Sequence, residues 1–308
     1  MSRENFIFNT IFYVILTSFF IYIFVREKYL VAKIKIYKDR FSEWLIKKLK
    51  VEGKTLSNVI RKTVNFVESI GTALILVLII QKFYLGNFLV PTGSMIPTII
   101  PKDRLFGNMV IYKFKEPKRE DIIVFQEPIQ NKVLYTKRAM GLPGEEVNIK
   151  YGYLYINGNK IAERHYSDLG AIGNDVWTVP KKGDTVEIVP GLNYSDKFKE
   201  KSIDIAEVQK YLLENPGSVS EVLPDVEFIL NGKKTGMILD LIHNKENLDK
   251  IIKGEKVTVV LDEDYYMALG DNTDGSYDSR MWGFVKDSRI QGKAFFRFWP
   301  LNRIGLLD

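Results

Sequence analysis

Pro91-Thr92-Gly93-Ser94-Met95-Ile96-Pro97 sets a serine beside a glycine and between two prolines. Proline fixes φ and glycine relaxes it, so such a stretch makes a stiff turn that presents a hydroxyl rather than packing it. Ser94 is therefore the candidate nucleophile, although the same residues also suit a helix-exit turn with an incidental serine. A serine hydroxyl is weak alone and needs a base. The chain has no cysteine and two histidines, His165 and His243. Disulfides and thiolate chemistry are excluded, and the redox compartment is left open. Neither histidine has a second metal ligand at the usual spacing, so a Ser/His/Asp triad or a His metal site is poorly provided for, and both are expected at the surface. Lysine is the remaining base, competent once burial has disfavoured its ammonium form. In Val133–Arg138, strand alternation puts Lys137 on one face with Val133 and Tyr135, a face where a charged amine is costly. The competing reading is an edge-strand lysine turned to solvent.

Something must hold these groups, and the chain's 308 residues suffice for one large or two modest domains. Residues 6–25 form a run without charge, the ~20 residues that span a bilayer. The run exceeds the ~7–15 apolar residues of a cleaved leader, and no small-x-small site follows Val25. A second apolar stretch covers 66–90, with Glu68 and Lys82 near its ends, where they can snorkel to the interfaces. Between the two, residues 26–65 hold twelve Lys/Arg against four Asp/Glu, a net +8. The whole chain carries +6, so the rest is slightly acidic and a nucleic-acid-binding role is excluded for the main domain. A basic loop between spans belongs in the cytoplasm, which puts everything after Val90 outside. Trp44, Leu45 and Leu49 among the lysines suit either an amphipathic helix on anionic lipid or a solvated linker.

From Leu105 onward short apolar runs are broken by Gly, Pro and Asn. Residues 109–112, 121–125, 133–138, 146–150, 153–156, 257–261, 265–269 and 293–298 read as strands. Asn157-Gly158 and Asn231-Gly232 read as hairpin turns. Ser202–Asn215 reads as a helix capped by Ser202 and stopped by Pro216-Gly217. The expected architecture is two N-terminal transmembrane helices, then a mainly β catalytic domain of 91–162 and 256–308 with an α+β insertion at 163–255. The insertion suits a lid, a docking surface or simple elaboration, and elaboration is the expectation.

Four blocks occur in one order: Pro91-Thr92-Gly93-Ser94-Met95-Ile96-Pro97-Thr98; Asp121-Ile122-Ile123-Val124-Phe125; Tyr135-Thr136-Lys137-Arg138-Ala139-Met140-Gly141-Leu142-Pro143-Gly144; and Gly270-Asp271-Asn272 with Ser276, Asp278-Ser279-Arg280 and Trp282-Gly283. In these the chain resembles the bacterial type I signal peptidases, Ser/Lys membrane proteases that remove signal peptides from exported preproteins. The resemblance covers 88–162 and 256–300 and the two-span layout, and does not reach the insertion. It implies a signal-peptidase-like β fold, Ser94 as nucleophile and Lys137 as general base. It implies an oxyanion hole from the Thr92 hydroxyl and the Ser94 N–H, and a Ser276 hydroxyl that orients the lysine. Gly270 would floor the site, and Asp271, Asp278 and Arg280 would support it, the last two as an ion pair. Thr273 departs from the pattern, since the family commonly has arginine there, which leaves any salt bridge from that position in doubt. Met95 and Ile96 would face a pocket or membrane, or pack in the core. The implied partners are signal peptides and the lipid bilayer. No cofactor or metal is called for. The implied location is the inner (plasma) membrane with the catalytic domain on its extracytoplasmic side.

Overall fold

The computed structural model describes residues 3–307 in two compact units, 3–85 and the chain from Gly86 onward. The first is helical: Arg3–Val25, Glu27–Lys48 and Lys54–Phe83. The basic segment is thus no open loop. It folds as one helix, a short turn and the start of the next helix, and Lys38–Glu68 (3.5 Å) and Arg61–Glu43 (2.5 Å) fix the two helices antiparallel. Lys54–Gln81 is long and apolar enough to cross a bilayer, and no residue of its apolar window is buried. Thr10–Val25 reaches that length only together with Lys28–Lys48, to which it is bent by 73°. The third helix stops at Phe83, short of the expected Val90, because Leu85–Leu89 leaves to become a strand. The side chain of Lys82, expected at the outer interface, lies outside the described residues.

The second unit is mainly β. Its largest sheet runs in the order Leu85–Leu89, Arg104–Asn108, Ile290–Trp299, Ile122–Gln126, Leu134–Gly141, Tyr265–Leu269, Val285–Lys286, and Gly305–Leu306 pairs with the long strand Ile290–Trp299. A second sheet orders Lys233–Thr235, Val226–Leu230, Thr185–Pro190 and Val257–Val260; a third orders Asn159–His165, Tyr153–Ile156, Glu146–Lys150 and Trp177–Thr178. Both Asn-Gly pairs turn hairpins with φ positive at each residue, 50° and 80° at Asn157-Gly158 and 48° and 83° at Asn231-Gly232. That is the primed turn whose twist matches paired strands.

Two local expectations fail for identifiable reasons. The strand expected at 109–112 lies earlier, at Arg104–Asn108, because the Asn108 carboxamide accepts from the N–H groups of Val110 and Ile111 and bends the chain out of the sheet. The helix expected from Ser202 begins at Ile205, capped by Asp204, whose carboxylate accepts from Ala206 N at 2.9 Å. Ser202 sits at φ 55° and caps nothing. Two further helices, Tyr194–Glu200 and Lys245–Ile252, begin at Asn193 and Asn244, whose side chains cap them. His165 is exposed as expected, but His243 is half-buried, with its Nε2 3.2 Å from the Pro128 carbonyl; burial, helped by Arg289, lowers its pKa below the ordinary histidine value, and that carbonyl opposes the shift.

Candidate functional site

Lys137 sits in Leu134–Gly141, a strand paired on both sides, opposite Ile123 on one neighbour; the adjacent Arg138 pairs with Leu269 on the other. A central strand has no solvent edge, so the lysine is 3% exposed. Its amine stands 5.7 Å from the centre of the ring of Tyr135, the residue two back on the same face. Arg138 points to the opposite face.

The turn carrying Ser94 follows the sheet's first strand. Met95 fixes it from beneath, fully buried with Val90, Ile99, Leu105 and Val124, while Ile96 stays exposed. From the far end of the chain, Asn272 braces the same turn twice: its N–H donates to the Ser94 carbonyl and its amide to the Gly93 carbonyl, both at 3.0 Å. Held so, Ser94 Oγ lies 2.5 Å from Lys137 Nζ, and Thr92 Oγ1 lies 3.5 Å from Ser94 Oγ.

Burial lowers the Lys137 pKa to about 8, with Arg280 lowering it further and Asp278 and Asp271 opposing. A free lysine near 10.4 is almost wholly charged at neutral pH, whereas one near 8 has a usable neutral fraction. A neutral amine at hydrogen-bond distance from a hydroxyl can take its proton. A cavity of about 370 Å³ opens beside the pair, with Phe88, Leu89, Val133, Tyr135 and Tyr277 in its wall.

The supporting residues converge on the same place. Asp278 and Arg280 form a fully buried bidentate pair, with Nε–Oδ1 2.9 Å and Nη2–Oδ2 3.1 Å. Asp278 also accepts from the Gly270 N–H at 3.0 Å. A Cβ on Gly270 would come within 2.5 Å of the Ser94 carbonyl and 2.1 Å of Ser276 Oγ, so only glycine fits this floor. Ser276 Oγ is buried but makes no hydrogen bond among the described residues, so the expected lysine-orienting contact is not formed here. Asp271 is held by Arg138 at 2.8 Å and by the Thr98 hydroxyl at 2.5 Å, with Arg164 at 3.6 Å.

The sequence model of the family described as signal peptidase, peptidase S26, matches residues 63–299. The chain belongs to that family. It is thus a serine peptidase, and the match takes in Ser94, Lys137 and the whole Gly270–Arg280 segment. A signal peptidase I of Buchnera aphidicola subsp. Baizongia pistaciae is 30% identical over 270 residues, 82% of this chain and 80% of that protein. One from Aquifex aeolicus is 30% identical over 72% of this chain and 79% of its own. Signal peptidase IB of Staphylococcus aureus is 26% identical over 79% of this chain and 92% of its own.

Sequence reasoning missed four residues that brace the Ser94/Lys137 surroundings: Thr98, Arg138, Asn272 and Glu127. The first three lie within the recognised blocks, but only their contacts across the fold reveal a purpose. Glu127, 2% exposed, accepts from the N–H groups of Ile129, Gln130 and Lys132 at 2.6–2.7 Å and so shapes the turn leading into the Lys137 strand. A glutamate followed within a few residues by Pro128 and Asn131 is a turn signal that could have flagged it.

Proposed function

We propose that the chain is a membrane-anchored endopeptidase that removes N-terminal signal peptides from exported preproteins with a Ser94/Lys137 dyad. The observation that carries this reading is the 2.5 Å contact between Lys137 Nζ and Ser94 Oγ, made by an amine whose burial brings its pKa to about 8. Neutral Lys137 takes the Ser94 proton as Oγ attacks the scissile carbonyl. The developing oxyanion is met by the Ser94 N–H and the Thr92 hydroxyl. Protonated Lys137 passes its proton to the leaving amine, and water then hydrolyses the acyl-enzyme with Lys137 again as base. The cavity beside the dyad suits the small side chains that precede a signal-peptide cut, and an extended substrate would lie along the adjacent strands.

Two spans, Arg3–Val25 and the apolar part of Lys54–Phe83, would anchor the enzyme, with the basic segment cytoplasmic. Ser94 follows the end of the second by eleven residues, so the nucleophile belongs near the outer face of the inner membrane. Residues 91–162 and 256–308 are then the catalytic domain and 163–255 its insertion.

The test is cleavage of a purified preprotein by the full chain in detergent, read by the new N-terminus. A cut after a small-x-small sequence is expected, and an intact preprotein would sink the proposal. Thr92→Val should lower kcat by about 10²–10³ with KM little changed, the usual cost of one oxyanion donor. An unaltered kcat would remove Thr92 from the oxyanion hole.

The pH profile gives a second check. Because the lowered Lys137 pKa marks loss of a proton from the active form's amine, kcat/KM should climb tenfold per unit below about pH 8 and level off above it. A flat profile from pH 6 to 9 would exclude a lysine base, both limits being about two units or less from that midpoint.

A further inference from the structure

The segment Tyr166–Gly170 lies outside the recognised blocks, at the start of the 163–255 insertion. In the fold it lies against the Asp278–Arg280 pair. The Arg280 guanidinium stands 4.9 Å from the centre of the Tyr166 ring, which is itself 1% exposed. Its Nη1 donates to the Asp168 carbonyl and its Nη2 to the Ser276 carbonyl at 3.2 Å. The Asp168 carboxylate accepts from Gly170 N at 2.9 Å and tightens the turn that aims that carbonyl. Ser167 ties the segment to Asp274 through its N–H at 3.2 Å and its hydroxyl at 2.5 Å. Gly170 has φ +64°, and a Cβ there would stand 2.8 Å from the Arg280 carbonyl oxygen, so the approach is as close as backbone permits.

We propose that Tyr166–Gly170 is a clamp that positions Arg280 against Asp278 and through that pair sets the charge environment of Lys137, with Tyr166 as its principal positioning residue. This rests on the Ser94/Lys137 reading. It gives the insertion a part in catalysis, where elaboration was expected.

The physical reason is the balance of charge around the amine. Lys137 faces Asp278, Arg280 and Asp271, with Tyr135 along its stem. Asp271 is committed to Arg138 and Arg164, and Glu120 pairs with the same two arginines. Arg280 is the cation that offsets Asp278, and Asp274 is engaged by Ser167. The peptide carbonyls of Asp168 and Ser276 orient the guanidinium fork, and the Tyr166 ring closes the face beneath it. Without the ring the guanidinium can swing from Asp278. The uncovered carboxylate then favours the ammonium form of Lys137, and more alkali is needed to activate it.

The experiment is the pH dependence of preprotein cleavage by the full chain carrying Tyr166→Leu, Tyr166→Phe or Asp168→Ala, with thermal unfolding measured alongside. Tyr166→Leu should move the activity midpoint up by about one pH unit, a tenfold loss at neutral pH that alkaline pH restores. Tyr166→Phe keeps the ring and loses only a hydroxyl that makes no hydrogen bond, so its profile should match wild type. Asp168→Ala, at an exposed side chain whose removal leaves the core intact, should shift the midpoint the same way by less, and it carries the test should Tyr166→Leu fail to fold. An equal fractional loss at every pH, or an unmoved midpoint in both Tyr166→Leu and Asp168→Ala, would overturn the clamp while leaving the dyad intact. Cleavage by a Lys137→Ala enzyme would instead strike the dyad reading itself.

Discussion

Ser94→Ala and Lys137→Ala should each cut preprotein cleavage by about 10⁴-fold or more, and the double variant should be no worse than either single one. The non-additivity is the sharper part of the expectation. Oγ and Nζ stand 2.5 Å apart, and in the proposed mechanism one proton passes between them, so removing either leaves the other without a task. Lys137→Arg should fail equally, because a guanidinium does not give up its proton near neutral pH and its planar fork does not fit a site shaped for one amine. Lys137→Met keeps the stem and removes a charge that burial disfavours, so its unfolding temperature should equal or exceed that of wild type. Turnover of a single preprotein, with thermal unfolding as the folding control, decides the matter. A single variant retaining a tenth of wild-type activity would end the dyad assignment.

Arg280→Ala should destabilise the β unit by about 3–5 kcal/mol, the usual cost of breaking a buried ion pair from one side. Arg280 and Asp278 are both fully buried. Truncating the arginine leaves the Asp278 carboxylate without its bidentate partner and strands the carbonyls of Asp168 and Ser276. Activity should fall with stability, since Asp278 also holds the Gly270 N–H and Gly270 lies against the Ser94 carbonyl. The double substitution Asp278→Asn with Arg280→Met should cost less than Arg280→Ala alone, because no naked charge remains in the interior. Denaturant unfolding of the three variants tests this. If Arg280→Ala unfolds within about 1 kcal/mol of wild type, a surface-type ion pair is the better description.

Much of the chain was legible because it depends on neighbours in sequence. The turn at Pro91–Pro97, the Asn-Gly hairpins and most strands follow from residue type and alternation within a few positions, and local sterics decide them. For the basic segment the sequence left an amphipathic helix and a solvated linker both open, and the structure forms helix there, over Glu27–Lys48 and from Lys54 onward. At 109–112 the strand pattern lost to the Asn108 side chain, and at Ser202 a good capping residue lost to Asp204, one choice among nearby competitors.

By itself the sequence determined the chemistry on offer: a presented serine, a lysine as the remaining base and a basic segment between apolar runs. Residue types and their local spacing suffice for that. Only the tertiary structure decided that Lys137 lies in a central strand and not at an edge, because strand order depends on pairings across the chain. It also decided which partners brace the site. Asn272 reaches Gly93, Arg138 reaches Asp271 and Asp168 meets Arg280 across more than a hundred residues. No local pattern encodes such contacts, since they exist only once the sheets have packed and excluded water from the charges between them.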